Sequence, residues 1–451
     1  MAAPIPRPMK EALVEILAQS LAGEIPGGTG RRVYGRLRFP NKATVVVGMR
    51  RVGKTTFLHQ WRRERLAQGV DRRLLPFINF EDERLTGLEA AQLGFLLEEY
   101  ARRVPTPDKG QRATWCFDEI QVVPGWEKFV RRLLDSGTAD ILASGSSAAL
   151  LSREIATSLR GRAWEIPLFP FSFAEYLAHH ALAAPNPPDF LDAAARAALE
   201  RAFLGWLSVG GFPEAQGLDG ASRAQLLRDY VDVAMLRDVV ERHRVTQVVG
   251  LRALLRHLLG NAGSPFSIEK FHKALKSRGV AIGRDSLHEL LSHLSDAFLV
   301  RLVWMESSSE RQRMVNPRKA YPLDAGLIPI FDRSGKPNLG HALETAVLIE
   351  LERRRLDCTW VKTPSGLEVD FLARGPGGQT ELIQICADAS DPQTAERELR
   401  ALVDAGTAHP RAVKRLLVAT RDGLPFELPA DIIAQPAYEW MLAGPAEHPP
   451  E

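Results

Sequence analysis

The stretch GMRRVGKTT, Gly48 to Thr56, decides how the chain is read. It satisfies the pattern G-x-x-x-x-G-K-[ST]. The β-branched run before it, Thr44 to Val47, reads as a strand, and TFLHQWRRERL, Thr56 to Leu66, reads as a helix. Strand, glycine loop and helix are the setting a phosphate-binding loop needs. Gly48 and Gly53 permit a tight turn, so the backbone N–H groups of Arg51, Val52 and Gly53 can face a phosphate. The first turn of the helix, from Lys54 through Thr56, brings the positive end of the helix dipole to the same place. Lys54 is expected to reach the β- and γ-phosphates of ATP, and Thr55 to offer its hydroxyl to Mg²⁺.

A loop of this kind hydrolyses nucleotide only with a second acid. TWCFDEIQ, Thr114 to Gln121, supplies one: an apolar strand ends in Asp118, placed to hold Mg²⁺, and Glu119, placed to orient or deprotonate water. Between the two motifs, LLPFINF reads as a further strand and LEAAQLGFLLEEYARR as a helix. In DILASGSS a short strand ends in Ser144 and Ser146. These serines either sense a γ-phosphate or cap the following helix. Arg160 and Arg162, in SLRGRAWEIPLF, are candidates for an arginine finger, with a plain surface role as the alternative.

This order of motifs resembles the AAA-type ATPases of the P-loop class. It is similar in particular to the bacterial and archaeal ATP-binding family in which GxRRVGKTT, DEIQ, GSS, LxGR and PxSFxEYL follow one another. Here the last is PLFPFSFAEYL, Pro167 to Leu177. The resemblance implies an α/β fold with a five-stranded parallel sheet, the added strand lying between the two nucleotide motifs. It also implies ATP and Mg²⁺. An arginine at the position of Arg160 or Arg162 often works in trans among AAA relatives, which would require a homo-oligomer.

The middle of the chain reads differently. APNPPDF is a proline-rich break, and the helical patterns after it are expected to form a lid over 181–248, where Arg237 makes a surface ion pair or senses nucleotide. LRALLRHLLGNAG, SIEKFHKALKSRG and GRDSLHELLSHLSDAFLVRLV read as three helices running into a strand, which resembles a winged helix over 249–310. The outward residues of its last helix would include Arg284, His288, Glu289 and His293, too weakly basic to compel DNA binding, so a protein partner is favoured.

The remainder poses a chemical question. GHALETAVLIELERRR reads as a helix carrying Glu344, CTWVKTPSGLEVDFLARG as a hairpin carrying Asp370, and TELIQICA as a third strand. This order resembles the PD-(D/E)XK nuclease fold, expected over 311–430 with a tail at 431–451. Glu344, Asp370, Gln384 and Cys386 would then converge on one metal. Gln384 stands where that resemblance requires an acid, and Cys386 where it requires a lysine. A thiol is no cation at neutral pH, so cleavage is expected to be lost. Lys362 is a candidate to replace the missing charge, and Glu368 and Asp370 otherwise suit a strand edge.

Bulk composition bounds these readings. The chain has 451 residues, 45% hydrophobic and 25% charged, with a formal net charge of +3. That length exceeds one ordinary core. An N-terminal helix over 1–30 and an ATPase core over 31–180 complete the expected organisation. The three cysteines, Cys116, Cys358 and Cys386, have no metal-binding spacing and read as reduced thiols, which points to the cytoplasm. No run suits a bilayer span. The expected function is an ATP-hydrolysing switch. The alternatives are an ATP-gated, metal-dependent nuclease and a sensor that binds ATP without hydrolysis.

Overall fold

The computed structural model describes residues 4–34, 39, 41–104, 112–146, 161–183, 191–332 and 338–444. Arg160 and the APNPPDF break lie outside the described residues. The chain forms two compact units, Met1–Leu168 and Phe169–Glu451.

The first unit is a five-stranded sheet of order β2-β3-β4-β1-β5. Its strands are β1 (Ala43–Val47), β2 (Phe77–Asn79), β3 (Ala113–Asp118), β4 (Ala139–Gly145) and β5 (Ala163–Pro167). Every pairing in it is parallel. Sheets of this kind are covered on both faces, so their strands read as continuous apolar runs. ATVVV and ATWCFD are buried at every position. The strand added between the two motifs in sequence, β2, lies at the sheet edge beside β3, and β4 is the strand that separates β1 from β3 in space. Among the described residues, the helices of this unit are α1 (Arg7–Ala22), α2 (Lys54–Ala67), α3 (Gly94–Arg103) and α4 (Trp126–Asp135). α1 buries Leu13 and Leu17, and its Ser20 Oγ accepts the Phe77 amide at 2.5 Å.

The second unit contains an eight-stranded mixed sheet of order β13-β12-β11-β10-β9-β7-β8-β6. Its strands run from β6 (Pro265–Phe266), β7 (Val300–Met305) and β8 (Arg318–Pro322) to β9 (Asp357–Lys362), β10 (Glu368–Arg374), β11 (Thr380–Ile385), β12 (Val413–Val418) and β13 (Ile432–Pro436). The expected boundary at 310 falls inside the antiparallel hairpin β7–β8. β7 also pairs in parallel with β9, so the winged-helix and nuclease-like readings share one sheet. The expected tail over 431–451 needs correction. Residues 432–443 form β13 and a helix, Ala437–Ala443, that buries Tyr438, Trp440 and Met441. Only Ala443 and Gly444 of the AGPAEHPPE stretch are described.

The helices of this unit include α5 (Phe173–His179), α6 (Ala193–Val209), α7 (Gly220–Ala234), α8 (Val248–Leu259), α9 (Ile268–Ser277), α10 (Arg284–Asp296), α11 (Leu339–Arg353) and α12 (Pro392–Ala408). Aromatic side chains of α5 and α6 meet those of β8, β9 and β10 in one core, where Phe173, Phe203, Trp206, Tyr321, Trp360 and Phe371 are buried together. The PFSFAEYL segment belongs to this unit. Ser172 and Glu175 form a reciprocal cap on α5. The Glu175 carboxylate also lies 3.8 Å from Arg353, whose guanidinium donates to the Pro170 carbonyl at 2.8 Å. The glutamate of this motif is thus an interior structural charge.

Candidate functional site

The phosphate-binding loop leaves the carboxyl end of β1. Arg51 and Gly53 take left-handed backbone angles, φ +69° and +94°, which turn successive N–H groups inward. Gly48 has a different reason to be glycine: a Cβ there would sit 2.3 Å from the Leu168 carbonyl oxygen. Sequence reading missed Arg31. Its buried guanidinium donates to the Val52 carbonyl at 2.5 Å, and its amide donates to Gln60 Oε1 at 2.7 Å. It braces the loop from outside. Gly28 packs on the Thr56 methyl group.

The two acids arrive at the end of β3, in reach of this loop. Thr55 Oγ1 donates to Asp118 Oδ2 at 2.7 Å. Lys54 Nζ donates to the carbonyls of Gly48 and Met49 at 3.1 and 3.2 Å and lies 3.1 Å from Glu119 Oε1. Ser144, buried at the end of β4, donates to Asp118 Oδ1 and accepts the Glu119 amide at 3.0 Å. Of the two serines, Ser144 is therefore joined directly to both acids. Ser146 is also buried. Glu119 holds a left-handed backbone angle, φ +49°, a strained state that persists where surroundings enforce it.

Burial raises the Asp118 carboxyl above its ordinary range, against hydrogen bonds from Ser144 and Thr55. Burial pushes Glu119 the same way, but the Lys54 charge, Gln121 and Arg50 together hold it below its usual value. One acid is thus poised to take charge from a cation, and its neighbour is kept ionised. The residues fit a nucleotide with Mg²⁺. Lys54 and the loop amides would hold phosphate, and Thr55 and Asp118 would hold the metal.

Arg162 is not brought to this place. It precedes β5, pairs with Asp135, and its carbonyl accepts the Ala43 amide at the amino end of β1. The loop begins at the other end of that strand, roughly 16 Å away at about 3.3 Å per residue. A finger acting in cis from Arg162 is therefore corrected. Arg237 forms an exposed ion pair with Glu241 at 3.0 Å.

The second group of site residues is partly assembled. Glu344, on α11, and Asp370, on β10, approach one another, but around a lysine the sequence reading did not name. Lys319 Nζ, from β8, lies 3.1 Å from Asp370 Oδ1, 3.3 Å from Glu344 Oε1 and 3.7 Å from Glu368 Oε2. Tyr321, two residues on, donates to Glu344 Oε1 at 2.6 Å. Asp370 Oδ2 accepts the Ile385 amide at 3.0 Å. Asp370 is buried in a strand flanked by β9 and β11, not placed at a sheet edge. Gln384 is turned to other work: its Oε1 accepts the Asp370 amide at 3.3 Å and its Nε2 donates to Glu398 at 2.6 Å. Cys386 lies past the end of β11 and donates to the Asp388 carbonyl. Lys362 is exposed on β9, opposite Glu368. The cation beside these two carboxylates is Lys319, not Lys362. Burial and then the Asp370 charge raise Glu344 to about 8, with Lys319 opposing. Burial pulls Lys319 down, but the Asp370 carboxylate, then Glu344 and Glu368, raise it above its ordinary value.

The parallel sheet, the left-handed loop and the Thr55–Asp118 contact define an AAA-type P-loop ATPase domain, and residues 40–177 match the AAA domain family. Residues 200–335 match a domain of unknown function (DUF8612). The chain belongs to the family of "Uncharacterized protein MJ1544" of Methanocaldococcus jannaschii, to which it is 35% identical over 367 residues, covering 80% of this chain and 78% of the relative. An uncharacterized protein of Haemophilus influenzae is 30% identical over 331 residues, covering 73% and 79%. Among solved structures, the chain resembles the Walker-type ATPase paby2304 of Pyrococcus abyssi at 16% identity, covering 71% of this chain and 95% of that one, with a TM-score of 0.36. The ORC1 protein of Aeropyrum pernix, solved in complex with DNA, gives 15% identity, 73% and 93% coverage and a TM-score of 0.27. Among the described residues no helix is long and apolar enough to cross a membrane.

Proposed function

We propose that the protein is an ATP-hydrolysing switch whose nuclease-like region is a scaffold or partner-binding surface. The observation that carries this reading is the buried chain of contacts joining Thr55, Asp118, Ser144, Glu119 and Lys54. ATP and Mg²⁺, when bound, supply the γ-phosphoryl group and the positive charge that offsets its oxygens. The chain's own residues do the rest. Lys54 exchanges the carbonyls of Gly48 and Met49 for phosphate oxygens. Thr55 and Asp118 hold the metal. Ser144 keeps Asp118 and the backbone of Glu119 in register. Glu119, released by Lys54, orients water and accepts its proton. An arginine finger, if one is used, comes from Arg160 in cis or from another copy in trans.

The nuclease reading loses support at Lys319. Its ammonium lies between the two carboxylates that a metal would have to share, and Gln384 and Cys386 are engaged elsewhere. The reading is tested by phosphate release from Mg·ATP while a labelled DNA is followed on a gel. Turnover with intact DNA is expected. Cut DNA that survives when Asp370→Asn is introduced would point to a contaminant, and cut DNA that disappears with it while the melting transition and ATP turnover are retained would restore the nuclease. ATP bound without phosphate release would leave the sensor as the better reading.

A further inference from the structure

Helices α7, α8 and α9 and the short turn Ile328–Phe331 enclose a cavity of about 770 Å³ in the second unit. Four arginines line it: Arg228, Arg252, Arg256 and Arg278. None of them forms an ion pair or a side-chain hydrogen bond with the described residues. Arg252 and Arg256 stand four apart on α8, a helix that contains no acid, where like charges cost a few tenths of a kcal/mol. Two acids share the wall, Asp232 and Asp332, and Asp332 is engaged by Asn338 at 3.2 Å.

The charge is regional as well as local. Residues 248–280 contain six lysines and arginines and a single acid, Glu269. That segment is more positive than the whole chain, whose net charge is +3, so the rest of the chain is slightly acidic. Glu269 is itself paired with Lys273 at 3.4 Å and Arg284 at 3.6 Å. The expected recognition helix, α10, is not where the basic charge lies. His293, expected to face outward, instead stacks on His243 with ring centroids 3.6 Å apart.

The shape and the residue types narrow the ligand. All four cations of the cavity are arginines, whose planar fork suits phosphate oxygens better than a point charge does. Its floor is apolar, formed by Leu255, Phe271, Leu275 and Phe331. The His257 ring is exposed at the rim, 4.9 Å from the Phe271 ring. A basic rim over aromatic groups is how proteins hold unpaired bases and their phosphates, whereas a duplex is too wide to enter a cavity of this size. We propose that this cavity binds single-stranded nucleic acid, with phosphates on Arg228, Arg252, Arg256 and Arg278 and a base against His257.

The test is fluorescence anisotropy of the full chain without nucleotide, so that it does not depend on ATP hydrolysis. The probes are labelled oligo-dT, oligo-U and a duplex, across a salt series. The strands should bind more tightly than the duplex, and preference between dT and U identifies the source as DNA or RNA. Arg252→Glu with Arg256→Glu should weaken binding about tenfold or more and lower the salt slope by about two. His257→Ala should weaken binding and leave the slope unchanged. Melting temperature and ATP turnover serve as fold controls. If the glutamate pair misfolds, the alanine pair replaces it, with a smaller loss expected. Absence of strand binding, a tighter duplex, or variants that bind as the natural chain does would overturn the proposal. So would displacement of the strand by poly-glutamate at equal charge.

Discussion

Replacing Lys319 by methionine keeps the stem of the side chain and removes its charge. Lys319 is buried, and it is the cation shared by Glu344 and Asp370 at 3.3 and 3.1 Å. Without it two carboxylates remain inside the second unit with no cation between them. Removing one partner of a buried ion pair costs about 3–5 kcal/mol, because the other charge is left desolvated. At about 2–4 °C per kcal/mol, the unfolding transition should fall by roughly 6–20 °C at pH 8. The same variant carries a pH signature. Glu344 titrates near 4.5 when unperturbed and is raised to about 8 in the fold, by burial first and then by Asp370. Its proton therefore favours the fold fully below 4.5, and that contribution is lost as pH rises to about 8. Lys319 opposes that protonation, so Glu344 in the variant keeps its proton more readily. A neutral Glu344 beside Asp370 needs no cation. The deficit of Lys319→Met should therefore shrink as pH falls from 8 toward 5. Calorimetry at the two pH values measures it. A variant that melts with the natural chain at pH 8, or whose deficit is the same at both, would refute the reasoning. Adding Glu344→Gln to Lys319→Met should recover part of the loss, since the amide can still accept from Tyr321.

Three further outcomes concern the first unit. Lys54→Ala should abolish ATP turnover, and it should also lower the melting transition, because it leaves the buried Glu119 carboxylate without its cation; a normal rate of phosphate release from the folded variant would remove Lys54 from the site. Glu119→Gln should retain ATP, read by binding of a fluorescent analogue, and lose about 10²-fold or more in turnover. Unchanged turnover would end its role as base. Burial raises Asp118 above the ordinary carboxylate range in the metal-free site, so the acid limb of kcat/KM, which reports the free enzyme, should lie above that range too, where the protonated acid can no longer take up metal. A rate that stays flat down to the usual pKa of an aspartate would count against that assignment.

What the sequence disclosed depended on the separation of the residues that cooperate. Gly48, Gly53, Lys54 and Thr55 act through one turn of backbone, so their spacing alone encodes the loop. Asp118 and Glu119 were legible because the end of β3 presents two successive residues at the carboxyl end of the sheet, where that loop lies. Ser144 needed the strand order, since only the adjacency of β3 and β4 brings it to Asp118. Arg31 acts through a carbonyl oxygen of the loop, and nothing in its neighbourhood marks it.

Lys319 had a signal that a search for a carboxylate–spacer–lysine strand passes over. In RKAYP, Lys319 and Tyr321 alternate with Ala320, so both face one side of β8, and both meet Glu344. The resemblance places that cation on the strand after Asp370, at Cys386. The fold supplies it from a strand far earlier in the chain, carried to Asp370 by helix α11 and the pairing of β7 with β9. This also changes what loss of the acid would do. If cleavage were all that Asp370 once served, its removal would be silent. As the partner of a buried ammonium it holds β8 and β10 to a common charge balance, so Asp370→Asn should be read first as a change in stability and only then as a change in chemistry.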